Sequence, residues 1–153
     1  MEQLLRLVVV FFAGLATGAL MVNWIGLARA MSNLSASTYA EFHQSTNRTF
    51  DPYMPIVVMG AVLGGIVLAI LSGRIHSLSG ELAIAGSVCY AAVIAIALLT
   101  DVRINKQVAR WSVQSLPDDW TLIRASWVRF HILRTLFSLP AFACYILACV
   151  LSR

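Results

Sequence analysis

Charge is scarce in this chain. Asp, Glu, Lys and Arg make up 12% of its 153 residues, while 59% are apolar. An ordinary soluble domain carries about a quarter charged residues, so this composition excludes one and points to an integral membrane protein. Acidic residues are fewest, seven against eleven Lys and Arg, which leaves a net charge of +4. That excess reads as anchoring to anionic headgroups, and no nucleic-acid module accompanies it. Cys89, Cys144 and Cys149 all fall in apolar stretches and none forms a Cys-x-x-Cys pair, which argues against a disulfide framework or a thiol redox motif. They read as small packing residues. Also missing are His-x-x-x-His, Glu-x-x-His, a Cys/His cluster and any Gly-rich phosphate or dinucleotide loop. No recurrent metal or nucleotide motif is therefore present.

What is there is lipid-compatible sequence. Four apolar segments, Leu4 to Ile25, Tyr53 to Leu71, Leu82 to Leu99 and Ile132 to Leu151, each approach the roughly 20 residues a helix needs to cross the hydrocarbon core. The expected fold is all-α: one domain over residues 1–153, built as a four-transmembrane-helix bundle with both termini on one side. On that topology Arg6, Arg74 and Arg153 share one face, and Arg29, Arg48, Arg103, Lys106, Arg110, Arg124, Arg129 and Arg134 share the other. The positive-inside rule then places the first loop and residues 101–129 in the cytoplasm, with the protein in an inner or plasma membrane. Arg6 before an apolar run and Ala28-Arg29-Ala30 together mimic a signal peptide. The run is longer than a usual signal core, and Gly14 and Gly18 have the spacing that lets membrane helices approach closely, so it reads as a span. Asn33-Leu34-Ser35 and Asn47-Arg48-Thr49 match the glycosylation acceptor pattern, relevant only if this face lies in a secretory lumen.

The connections are patterned as well. From Ala36 to Phe50, Tyr39, Phe42, His43, Thr46 and Phe50 share one face, which predicts an amphipathic helix in the first loop. Asp51-Pro52 predicts a cap and first turn for the second span, and Gly60 and Gly64 predict a second close helix contact. Ser72 to Gly80 reads as a short connection between antiparallel helices, with His76 among headgroups. Residues 101–115 contain neither Gly nor Pro, so the third helix is expected to continue to Leu116-Pro117, with Asp118 or Asp119 capping a fourth helix that kinks near Pro140. Two helices extended in this way would form a hairpin projecting from the membrane.

Trp120, Arg124, Trp127, His131 and Arg134 follow steps of 4, 3, 4 and 3. At about 100° per residue they form one stripe roughly 80° wide. An ionisable residue at membrane depth marks a functional site by default. Asp101 and Asn105 face the same direction, opposite Arg103, Lys106 and Arg110, and the structural alternative pairs Asp101 with Arg134 or Arg124. Trp111, Trp120 and Trp127 have an alternative reading as an interfacial aromatic belt. His43 and His131 are the candidates for proton transfer, since each lies on the inward face of its helix on the same membrane side. A metal site would require both histidines to converge with Asp101 or Glu41. Axial haem ligation by the two histidines is the remaining cofactor reading, and no cofactor is evident from the residues.

Several short pieces together resemble the small four-helix membrane proteins grouped as the DUF1772, or anthrone oxygenase-like, family. They are Phe42-His43-Gln44 followed by Asp51-Pro52 and Pro55, Asp101-Val102-Arg103-Ile104-Asn105, and Pro117-Asp118-Asp119-Trp120 with Leu122, Arg124, Trp127, His131, Leu133, Arg134 and Thr135. Members often carry proline two residues before the asparagine; here that position is Arg103. The resemblance implies a membrane monooxygenase that converts an anthrone to an anthraquinone with O2. On that expectation His43 or His131 is the base, Asn105 and Arg134 stabilise the oxyanion, and Tyr39, Trp111, Trp127 and Arg124 hold a flat apolar ring system entering from lipid. The partners are then membrane lipid, an apolar aromatic molecule and O2, and a homo-oligomer is compatible with the pattern. Two other classes stay open: a non-catalytic membrane module for binding, carriage or assembly, and a metal- or haem-dependent redox protein.

Overall fold

The apolar runs fold as helices, as the lipid-compatible pattern requires, because a backbone in hydrocarbon must satisfy its own hydrogen bonds. A computed structural model describes residues 2–71 and 75–151. Arg74 and Arg153, used in the charge asymmetry, lie outside the described residues, as does part of the Ser72 to Gly80 connection. The helices are α1 (Glu2–Val22), α2 (Ala28–Ser32), α3 (Ala36–Phe50), α4 (Met54–Leu71), α5 (Leu78–Ile96), α6 (Val102–Val108) and α7 (Trp120–Val150). Two π-helical segments, Asn23–Leu27 and Ala97–Asp101, join α1 to α2 and α5 to α6 without a break. Among the described residues there is no strand, only a β-bridge between Ser112 and Ser115.

Three continuous helices are long and apolar enough to cross a membrane: Glu2–Ser32, Leu78–Val108 and Trp120–Val150. Their most apolar windows are only 28–33% buried within the protein. Leu4, Leu7, Phe11, Leu63, Val88, Leu98 and Leu136 are among the large side chains directed outward, an arrangement that only lipid tolerates. Helices α3 and α4 pass the same test only as a pair, bent by 45°.

Around the ring, α1 packs on α4, α4 on α5, α5 on α7 and α7 on α1. Tyrosines tie it together. The Tyr90 hydroxyl donates to Ala13 O on α1 at 2.8 Å, and the Tyr145 hydroxyl donates to Ala61 O on α4 at 2.9 Å. The two rings stack at 5.8 Å in a core with Val9, Leu20, Val58 and Val93. Gly60 and Gly64 make the expected close contact: a Cβ at either would lie 2.8 Å from Phe12 or Val9 of α1. Gly14 and Gly18 do not. A Cβ at Gly14 would make ordinary contact with Phe142, and one at Gly18 would meet open space. The close approach on α1 is made through Val9 and Phe12 instead.

The loop helix spans Ala36–Phe50 as the periodicity predicts, with Ser35 accepting a hydrogen bond from Thr38 N. The next start differs. Asp51 closes α3, a turn follows, and α4 begins at Met54, because Asp51 N bonds back to Asn47 O. The third helix ends at Val108, short of Leu116-Pro117. Gln44 Nε2 donates to Val108 O, which also accepts from Trp111 N, and to Trp111 O, at 2.9 and 3.1 Å. The chain then turns so that Trp111 packs against Tyr39. Trp111 is thus held against α3, and the two long helices, Leu78–Val108 and Trp120–Val150, are joined by residues 109–119 rather than by a turn at Leu116-Pro117. Asp119 stands at the N-cap of α7 without a side-chain cap bond, and α7 runs through Pro140 as one helix.

Gly86 tests the packing of the ring. A Cβ there would lie 2.7 Å from the buried Tyr145 ring and 3.1 Å from Ala141 O, and Tyr145 cannot retreat without losing its bond to Ala61. Gly86→Ala should destabilise the protein by about 1–3 kcal/mol, the usual cost of overpacking. The check is a lowered melting temperature in detergent; an unchanged one would contradict this packing.

Candidate functional site

Polar groups collect where the two π segments face α7 and the loop helix. A π segment inserts one residue into a helical turn and recurs at functional sites. Here Asn23 opens the first segment and Asp101 closes the second, and both line one cavity. The cavity encloses about 170 Å³. Its polar wall includes Asn23, Asn47, Asp51, Asp101, Asn105, His131 and Arg134, and its apolar wall includes Met54, Val58, Val93, Ile94, Ala97 and the ring of Trp127.

Arg134 Nη1 donates to Asp101 Oδ2 at 2.6 Å, the pair foreseen as the structural alternative. Asn105 Oδ1 accepts from Trp127 Nε1 at 3.1 Å and lies 3.2 Å from His43 Nε2. The Tyr39 hydroxyl lies 3.0 Å from His43 Nδ1. Since Asn105 Oδ1 only accepts, His43 carries its proton on Nε2, and Nδ1 accepts from Tyr39. Both nitrogens of His43 are committed. Its position on α3 lies outside the three spanning helices, and burial holds it below its ordinary value near 6.5, opposed by the bond to Asn105.

His131 differs in kind. It is 5% exposed, stacks on Trp127 with ring centroids 4.8 Å apart, and neither ring nitrogen has a hydrogen-bond partner. Asp101 Oδ1, Arg134 Nε and Asn47 Nδ2 are likewise buried without a partner. Buried polar atoms are nearly always satisfied, and these four residues carry, on one cavity wall, hydrogen-bonding capacity that the protein's own groups do not meet.

Of the expected catalytic residues, Asn105, His131 and Arg134 line this cavity, whereas His43 sits behind Asn105. Of the expected ring-holding residues, Trp127 lines it. Tyr39 and Trp111 belong instead to an adjoining cluster with Ala28, Met31 and Trp120. Arg124 donates to Met31 O and Ser32 O, at 3.2 and 3.3 Å, and lies over the Trp120 ring. It satisfies the carbonyls at the end of α2. Among the described residues, no group of three or more His, Cys, Asp or Glu side chains could hold a metal ion. His43, His131 and Asp101 thus do not form such a group, and Glu41 and His76 are exposed. Among the polar wall residues, Asn23, Thr46, Asn47 and Asp51 were not singled out from sequence as site residues. Asn23 carried a signal, an amide inside an apolar run. Burial lifts the Asp51 carboxyl above its ordinary value.

The fold and this cavity define a helical membrane protein with a partly open, polar-walled chamber beside its two π segments. Residues 42–144 match the anthrone oxygenase family model, and the chain belongs to that family. Comparison with curated proteins and with solved structures gave no match. The matched region runs from the middle of α3 through most of α7, and includes every chamber residue except Asn23.

Two predictions follow from the geometry. Arg134→Met leaves Asp101 buried and unpaired, which should cost about 3–5 kcal/mol; the double variant Asp101→Asn/Arg134→Met should recover a large part. Equal melting temperatures for wild type and Arg134→Met would contradict the pairing. A histidine held below its ordinary value contributes its full stability above about pH 6.5, and loses it as pH falls from there towards the folded value. The melting temperature should therefore fall between pH 7 and pH 5, less steeply in His43→Gln. Identical slopes would contradict a buried neutral His43.

Proposed function

We propose that the protein is a four-span membrane oxygenase that converts an anthrone-type aromatic to its quinone with O2, using His131 as base. The bent α3–α4 pair supplies the fourth crossing through α4, whose 18 residues extend about 27 Å. Of the cations assigned to the chamber side, Arg124 and Arg134 have structural partners. Arg29, Arg48, Arg103, Lys106, Arg110 and Arg129 still outnumber Arg6 among the described residues, which favours a cytoplasmic first loop and 101–129 segment.

The observation that carries the reading is the unpartnered ring of His131 on the chamber wall, in a chain of this family. An anthrone carries a weakly acidic methylene carbon. Its proton passes to a ring nitrogen of His131, and the electron pair left behind delocalises onto the carbonyl oxygen, where the amide NH2 of Asn105 and the free Nε of Arg134 are the donors available. O2 takes up the electrons and bonds to the carbon, and the peroxide anion takes the proton back from His131, giving a hydroperoxide and restoring the base. Loss of water leaves one oxygen as the new carbonyl, so substrate and O2 balance quinone and water with no outside reductant. His43 is a positioning residue: through Asn105 it fixes Trp127, on which His131 stacks.

General-base catalysis contributes typically about 10²–10⁴-fold. His131→Gln should therefore reduce anthrone-dependent O2 uptake at least about a hundredfold towards the uncatalysed rate, with His43→Gln losing less. Full activity in folded His131→Gln would overturn the base assignment; no activity in wild type would favour the non-catalytic binding module. The remaining reading is a metal- or haem-dependent redox protein. Active material without visible absorption or bound metal would remove that reading.

A further inference from the structure

A second cavity of about 340 Å³ adjoins the chamber and shares Asn47, Asp51, Pro55, Val102 and Asn105 with it. The chamber alone is smaller than the roughly 300–1,000 Å³ typical of ligand sites, so a multi-ring ligand seated on Trp127 must extend into the second cavity. Its wall is held in place by Gln44, whose amide is already committed to Val108 O and Trp111 O. At its outer end stand Arg48 and Lys106. Both are exposed, and neither forms an ion pair among the described residues. On the shared wall, Asn47 Nδ2 is a buried donor without an acceptor.

We propose that the two cavities form one composite site for an aromatic ligand bearing an anionic oxygen group, the rings lying in the chamber and the anion at Arg48 and Lys106. The proposal rests on the reading that the chamber holds a flat aromatic, but not on turnover. The groups are ordered along the site. Asp51, the carboxylate on the shared wall, repels an anion placed midway, whereas Arg48 and Lys106 line only the outer cavity. Asn47 donates to a ring oxygen where the cavities meet. The ligand class is therefore an aromatic ketone with an acidic substituent at its far end, and phosphate of a lipid headgroup is the other source of the same anion chemistry.

Binding tests this on the intact protein in uncharged detergent, with tryptophan fluorescence quenched by anthraquinone-2-carboxylate or by its methyl ester. An exposed cation beside a carboxylate contributes about threefold to fivefold in affinity. The wild type should then prefer the acid by about tenfold at low salt and lose that preference in 1 M NaCl, where screening reaches about 3 Å. Arg48→Gln/Lys106→Gln changes two exposed side chains, and should bring the acid within about twofold of the ester. Asn47→Ala should weaken both compounds about fivefold, through the loss of one hydrogen bond. Equal affinity for acid and ester in wild type, or a preference that survives the double variant, overturns the proposal. Displacement of the acid by phosphatidylglycerol, dependent on Arg48 and Lys106, assigns the anion site to lipid and overturns the aromatic-acid ligand. If wild type binds neither compound, the aromatic chamber itself fails, whatever the oxygen-uptake assay gives.

Discussion

Asp101 and Arg134 meet at 2.6 Å with side chains only 4% and 11% exposed, on helices whose outer faces are aliphatic. Two charges taken out of water cost several kcal/mol each, and only close pairing with further polar partners offsets that. Here the offset is incomplete, since Asp101 Oδ1 and Arg134 Nε remain without partners. The helices around the pair therefore cannot close into an aliphatic core at this level, and a chamber remains. The π segment ending at Asp101 is part of the same constraint, because it carries that carboxylate to the inner face of the α5–α6 helix. Below it the bundle closes normally around Tyr90 and Tyr145, with their hydroxyls bonded to backbone oxygens.

Chemistry follows from which polar groups this frame commits and which it leaves vacant. His43, Asn105 and Trp127 are mutually bonded, so they hold shape. The His131 ring stacks on the fixed Trp127 and has no hydrogen bond at either nitrogen, so it stands available on the cavity wall. The histidine pair that looked equivalent along the chain thus divides into one ring with both nitrogens bonded and one with neither. Such a division is efficient in a small membrane protein, where each buried polar group left unsatisfied costs free energy.

Much of this was legible in the residues. Tyr39, His43 and Thr46 at helical spacing located the loop helix, and the steps from Trp120 to Arg134 located the α7 stripe. Period and polarity set these features, and both are local. The end of the third helix was not legible: nothing near Val108 breaks a helix, and the break depends on Gln44 and Tyr39, more than 60 residues away. The π segments were hidden for a similar reason, since Asn23 to Leu27 and Ala97 to Asp101 contain no residue that requires a wide turn. Arg124 shared the stripe of His131, yet about two turns nearer the N-terminal end of α7 it reaches the carbonyls of α2 instead. Helical phase gives the direction of a side chain, while depth along the bundle decides its partner.

The central claim is that His131 opens onto a chamber that receives a flat aromatic. The chain has three histidines, so ¹⁵N-histidine labelling in detergent, assigned with His43→Gln and His76→Gln, resolves each ring. Titration with an anthraquinone is expected to shift the His131 nitrogens most and to leave exposed His76 unchanged. Saturating ligand that leaves the His131 signals where they were would contradict the account.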